Sequence, residues 1–220
     1  MKRTEALLLI FDWDGTLSDS TAKIIRCLQQ AGESAGQRVC SDDAIMNIIG
    51  LGLPECMLVL YPELAQAQHD DIRHYYSEHF LREDQTPSPF FEGVQEGLEH
   101  LRDKGHLLTV ATGKSRKGLD RVLKKLHLED FFHGSRCADE TASKPNPQML
   151  SELLDEFSIH KDEAIMIGDT EYDMSMAQQL AMPRVAVSYG AHCVTRLQKF
   201  EPLACVDHFP EFVDWVIKKY

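Results

Sequence analysis

Apolar residues along the chain gather into short unbroken blocks separated by longer amphipathic stretches. The blocks are residues 7–11 (LLLIF), 107–111 (LLTVA), 164–167 (AIMI) and 184–187 (RVAV). Blocks this short and this uniformly apolar fit strands buried on both faces of a parallel sheet. Between them the period becomes helical. Leu119, Val122, Leu123 and Leu126 share one face of residues 115–126, and Leu150, Leu153, Leu154 and Phe157 share one face of 148–157. Residues 171–180 and 211–218 are further helix candidates. Strands alternating with helices predict βαβ units, hence an α/β fold: a Rossmann-like parallel sheet with helices on both faces.

Residues 17–85 break the alternation, with several helical stretches and no strand. Ile24, Ile25 and Leu28 form one apolar stripe. Ser41, Asp42 and Asp43 read as a helix start, followed by Ile45, Ile48 and Ile49. Gly50-Leu51-Gly52 is a break before Pro54, and residues 65–81 read as a long polar-faced helix. Thr86-Pro87-Ser88-Pro89 reads as a linker. The expected organisation is a core from residues 1–16 and 86–220, with an all-helical domain, 17–85, inserted after the first strand.

Composition narrows the function classes. The 220 residues carry a formal net charge of −12, which disfavours a nucleic-acid surface, because phosphate backbones need a basic footprint. A few lysines and a metal cation can still reverse the field locally for a small phosphorylated ligand. The six cysteines show no CxxC or zinc-like spacing and read as free thiols of a reducing compartment. His69, His74 and His79, spaced by five, do not stack on one helical face and read as solvated helix positions rather than ligands. Lys2 and Arg3 before the first apolar block mimic a signal peptide, but the block ends on Asp12 with no cleavage-like site after it. No stretch approaches the ~18 apolar residues of a membrane span. The expectation is a cytoplasmic protein acting on neither membranes nor nucleic acid.

The chemistry concentrates where the blocks end. The first runs into Asp12-Trp13-Asp14-Gly15-Thr16-Leu17. Open parallel sheets bind ligands at the carboxyl ends of their strands. Two carboxylates one residue apart at such an end repel, and a cation or a shared proton must offset this. The DxDGT string arises by chance in only about 0.3% of chains this long. The second block ends at Thr112-Gly113-Lys114, Lys144-Pro145-Asn146-Pro147 follows, and the third runs into Gly168-Asp169-Thr170-Glu171-Tyr172-Asp173. Gly113-Lys114-Ser115 is not a P-loop, since Leu108 stands where that pattern needs its first glycine.

These four motifs, in this order, resemble those of the haloacid dehalogenase superfamily in its phosphatase branch. The resemblance implies a Mg²⁺-dependent hydrolase of small phosphate monoesters. Asp12 would be the nucleophile that forms an aspartyl-phosphate and Asp14 the general acid and base. Thr112 and Gly113 would bind phosphate, and Lys144 would supply a fixed charge to phosphate and nucleophile. The implied Mg²⁺ ligands are the Asp12 carboxylate, the Asp14 backbone carbonyl and the Asp169 carboxylate, with Asp173 close by. The insertion is where such proteins carry a helical cap, placed as in phosphoglycolate phosphatases and β-phosphoglucomutases, with residues 49–53 (IGLGL) at the substrate-specificity loop. Glu171 reads as a solvated first-turn acid, and Lys114 and Arg116 as exposed.

Other readings compete, among them a phosphonatase, for whose cap lysine only Lys23 is available, and a catalytically silent binding protein, which Asp12, Asp14, Lys144 and Asp169 together argue against. Asp14 argues against dehalogenases, which expel no alkoxide and need no such acid. A sugar-phosphate mutase keeps both aspartates, but residues 49–57 (IGLGLPECM) contain no basic residue to grip a second phosphate. A phospho-accepting signalling domain is about half this length and lacks DxDGT and the insertion.

Overall fold

The computed structural model describes residues 6–220, so Lys2 and Arg3 lie outside the described residues. Its strands are β1 (Leu8–Phe11), β2 (Leu107–Thr112), β3 (Gly134–Cys137), β4 (Ala164–Gly168), β5 (Arg184–Val187) and β6 (Cys205–Val206). They form one sheet in the order β3-β2-β1-β4-β5-β6, parallel throughout. The four strands expected from the apolar blocks are present, and β2 extends through Thr112.

The helices are α1 (Thr21–Ser34), α2 (Asp42–Met46), α3 (Leu53–Leu60), α4 (Gln66–Glu78), α5 (Val94–Asp103), α6 (Arg116–Leu126), α7 (Gln148–Phe157), α8 (Glu171–Gln179), α9 (Val194–Leu197) and α10 (Phe209–Lys219). Several begin where local chemistry requires. Ser41 and Ser115 accept from Ala44 and Gly118 amides at the starts of α2 and α6, and Pro54 opens α3. Helix α4 passes into a π-helical turn, His79–Glu83.

The pleat explains the unbroken apolar blocks. On one side Leu7, Leu9 and Phe11 pack with Leu98 and Leu101 of α5, Leu119 of α6 and Phe209 and Phe212 of α10. On the other, Leu8 and Ile10 pack with Leu150 and Leu153 of α7 and Met176 of α8. Alternate side chains of β1 thus enter two cores, and both must be apolar.

Residues 21–83 carry only helices and contribute no strand to the sheet. They hold their own apolar cluster, built on Leu28, Ile45, Ile48, Met57, Tyr61 and Ile72. The two connections to the sheet run side by side: Ser18 bridges Phe90, and the Phe91 amide donates to the Leu17 carbonyl at 3.0 Å. Two histidines of this segment are not solvated. His69 is buried with Nε2 2.8 Å from the Tyr61 carbonyl, and His79 is buried beside the Ser34 hydroxyl. The sequence spacing does not keep them on the solvent side, because α4 packs against both α1 and α3 and the π-helical turn packs against α1. Among the described residues, no helix is long and apolar enough to cross a membrane.

Candidate active site

The chain leaves β1 to build β2 and β3 on one side, then crosses to build β4, β5 and β6 on the other. The strand order therefore reverses beside β1, where open sheets leave a crevice at their carboxyl ends. Phe11 pairs with Val110 and with Ile167, so β1, β2 and β4 end nearly level. Asp12, Thr112 and Asp169 emerge there together, from points far apart in sequence.

Trp13 fixes the loop after β1. Its indole is fully buried against Phe90 and Phe132, while its carbonyl accepts from the Leu17 and Ser18 amides. Gly15 sits at φ +85°, and a Cβ there would stand 2.2 Å from Asp169 Oδ2. The glycine of the motif is thus required by both backbone conformation and space. Thr16 donates to Asp169 Oδ1 at 2.8 Å, and the Ala191 amide donates to Oδ2 at 2.7 Å.

Asp12 is 1% exposed, Asp169 and Asp173 are 0%, and carboxylate oxygens of all three lie within 4.8 Å of one another. Lys144, itself buried, donates to Asp12 Oδ1 and Asp173 Oδ1, each at 2.6 Å. It is therefore not a surface lysine. Asp173 serves twice: its other oxygen accepts from the Thr170 amide and hydroxyl, capping α8. Asp12 Oδ2 is buried and has no hydrogen-bond partner among the described residues.

One ammonium faces three buried carboxylates, and such an excess of charge is costly unless compensated. The pKa values carry that cost. Burial above all, then Asp173, pushes Asp169 up to about 7, against the hydrogen bonds from Ala191 and Thr16. Burial also holds Asp12 well above its ordinary value; Lys144 opposes this, and Asp173 and Asp169 add to it. All-oxygen donors and a surplus of negative charge suit a hard divalent cation.

The Asp14 carboxylate turns elsewhere. Its Oδ1 accepts from the Ser20 hydroxyl at 2.6 Å and lies 2.9 Å from Lys114 Nζ. Ser20 precedes α1 but gives its hydroxyl to Asp14 instead of capping the helix. Lys114, expected to be exposed, is drawn in by this ion pair. Arg116 instead bonds Glu140 and Ser135, and Glu171 is paired with Arg196 rather than free in solvent. Thr112 is fully buried and accepts from the Lys114 amide.

The loop between α2 and α3 closes over the strand ends. The Gly52 amide donates to Ser143 at 2.8 Å, and Tyr172 donates to the Asn47 carbonyl at 2.7 Å. His192 accepts the Glu171 amide on Nδ1, so its Nε2–H points to the same carbonyl. Gly113 lies so close to this loop that a Cβ would stand 2.5 Å from the Leu51 carbonyl oxygen. Sequence reading missed Ser20, Lys114 and the loop contacts. Only the position of Ser20 before a helix was a usable signal.

A family model described as haloacid dehalogenase-like hydrolase matches residues 9–187. The chain is 32% identical over 212 residues to a protein of Dickeya dadantii named Probable phosphatase IndB, covering 94% of this chain and 91% of that one. It is 27% identical to a phosphoglycolate phosphatase of Psychrobacter arcticus, covering 97% and 96% of the two chains. Among solved structures, a hydrolase from Pseudomonas syringae matches with a TM-score of 0.87 over 97% of this chain and 99% of that one. Its identity is 21%, so that likeness is one of fold.

Proposed function

Since the chain belongs to the haloacid dehalogenase-like hydrolases, we propose that it is a Mg²⁺-dependent phosphatase working through an aspartyl-phosphate on Asp12. The observation that carries this reading is the buried Asp12 carboxylate, with Oδ1 held by Lys144 and Oδ2 bare. Lys144 orients the group and leaves one oxygen free to attack. The residues that would hold Mg²⁺ are the carboxylates of Asp12 and Asp169 and the backbone carbonyl of Asp14, with Asp173 alongside. When bound, the cation supplies the positive charge that lets a phosphate dianion approach a carboxylate.

Asp12 Oδ2 forms a bond to phosphorus as the bond to the leaving oxygen breaks, and Asp14 gives that oxygen its proton. Asp14 then takes a proton from water. The water oxygen attacks phosphorus, releasing orthophosphate and restoring the Asp12 carboxylate. Ser20 and Lys114 hold Asp14 in position for both transfers. Thr112 and the backbone of Gly113 bind phosphoryl oxygens at the end of β2, and Lys144 offsets negative charge as it builds.

Residues 17–85 act as a cap that closes over the site and excludes water from the first step. A hydrolase is favoured over a sugar-phosphate mutase because residues 49–57 (IGLGLPECM), in and just after the loop that closes over the strand ends, carry no basic residue to grip a second phosphate.

Metal binding has a readout independent of turnover. The folded state raises the pKa of Asp169 from 3.8 to about 7. The folded protein therefore keeps a proton that the unfolded chain has lost. This contribution to metal-free stability is complete below about pH 4 and is lost as pH rises through about 7. Mg²⁺ must displace that proton, so it raises the thermal midpoint more at about pH 7.5 than at about pH 5, relative to chelator. Asp169→Asn is expected to lose most of the increment. An Mg²⁺ effect equal at both pH values, or undiminished in the variant, contradicts the assignment.

A further inference from the structure

The space between the helical segment and the strand ends is larger and more apolar than a phosphate site alone requires. The cavity that includes Asp12 and Asp14 encloses ≈ 1030 Å³. That is the upper end of the roughly 300–1,000 Å³ in which proteins hold drug-sized molecules. Away from the aspartates its walls include Ile24, Leu28, Ile48, Ile49, Tyr76 and Phe80. A two-carbon phosphorylated acid would leave most of this volume to water against apolar side chains, which is unfavourable.

Charge points the same way. A carboxylate close to phosphorus on the leaving group would need a cation inside the cavity, since an unpaired buried charge is costly. The cation beside the aspartates is already engaged, since Lys114 lies 2.9 Å from Asp14. Lys23 is held by backbone, 2.7 Å from the Asp84 carbonyl, and Arg73 makes a surface pair with Asp70 at 2.9 Å. Lys117, Arg121 and Lys125, also without an acid partner among the described residues, are exposed along α6 at the cavity's edge.

Tyr76 adds a polar handle. Its ring lies against Phe80, with centroids 5.6 Å apart, and its hydroxyl has no hydrogen-bond partner among the described residues. Burial first, then the nearby Asp14 charge, keeps the phenol well above its ordinary pKa, so it stays a neutral donor.

We infer that the cavity takes a phosphate monoester whose leaving group is uncharged and carries a flat aromatic ring system, the size of a nucleoside, and that Tyr76 donates a hydrogen bond to a polar atom of that group. This rests on the phosphatase reading and names its substrate class. Phosphorylated two-carbon acids are then poor substrates.

The test compares a nucleoside 5′-monophosphate, benzyl phosphate and 2-phosphoglycolate with the full-length protein and Mg²⁺. The nucleoside monophosphate is expected to exceed 2-phosphoglycolate in kcat/KM by about tenfold or more, with benzyl phosphate also above it. Tyr76→Phe should lower the ratio of nucleoside monophosphate to benzyl phosphate about fivefold, because only the former offers a polar atom on its ring system. An unchanged ratio removes Tyr76 from the inference. An equal or higher kcat/KM on 2-phosphoglycolate overturns the inference and leaves the hydrolase reading standing. Turnover of none of the three contradicts the hydrolase reading itself. Calorimetric binding to Asp12→Asn then decides the substrate class without turnover: tighter binding of the nucleoside monophosphate supports it, and tighter binding of 2-phosphoglycolate overturns it.

Discussion

Asp12→Asn is expected to lower kcat by ~10⁴-fold or more, the scale on which nucleophile removal acts in covalent enzymes. The amide has the shape of the carboxylate and keeps an acceptor for Lys144, but its oxygen carries no charge with which to attack phosphorus. The fold should survive. Asp12 lies among Asp169 and Asp173, and its raised pKa reflects burial first and, beneath the opposing pull of Lys144, repulsion from those two carboxylates. Removing its charge relieves that repulsion while Lys144 keeps Asp173. The urea midpoint should correspond to a change of no more than about 1 kcal/mol. Initial rates with Mg²⁺ and an unfolding curve on the same preparation check both halves. A folded variant that keeps a tenth of the wild-type rate rules out Asp12 as the nucleophile.

The second large effect is at Asp14, and its size should depend on the leaving group. With an alkyl phosphate the departing oxygen is strongly basic and must be protonated as it leaves. Asp14→Asn should then cost ~10²–10⁴-fold, the usual worth of a positioned acid or base. The amide can still accept from Ser20, so the loop should keep its place, but it cannot supply the proton. With p-nitrophenyl phosphate the leaving group needs little help. Phosphorylation of Asp12 should survive better, and hydrolysis of the intermediate should become limiting. Rapid-mixing traces should show a burst of nitrophenolate followed by slow turnover. Equal losses on the two substrates would remove Asp14 as the general acid.

The parts of the fold legible in the sequence are those where one physical demand dominates. Strands β1, β2, β4 and β5 are buried on both faces, so their residues are apolar without a break. Strand β3 (GSRC) was not legible. It lies at the sheet edge, where Arg136 pairs with Glu152 and Glu156 of α7 and Ser135 bonds Arg116. Its side chains answer to those partners and carry no strand period. Strand β6 is two residues long and too short for any pattern. In α5 the spacing of Val94, Leu98 and Leu101 is helical, but Gly97 interrupts the face where Phe209 and Val213 press against it.

The candidate site divides in the same way. Asp12, Thr112, Lys144, Asp169 and Asp173 sit at or near strand ends, where the chain must set polar groups against an apolar run, and this contrast is visible in one dimension. The partners of Asp14 are not visible. Lys114 reaches it because β1 and β2 pair side by side, so the loops after them meet, and Tyr76 comes near it only because α4 folds over the sheet. Nothing in the local pattern of either residue distinguishes it from a solvated helix or loop position.

The most direct test of the account is to find the phosphoryl group on the enzyme. Asp14→Asn, mixed with Mg²⁺ and radiolabelled p-nitrophenyl phosphate and quenched in acid within the burst, should carry label on the protein. The label should be lost in mild alkali, as an acyl phosphate requires, and should map by peptide mass to Asp12. It should be absent when Asp12 is also replaced by Asn. A burst of nitrophenolate with no label on the protein, or label on any other residue, would contradict covalent catalysis by Asp12.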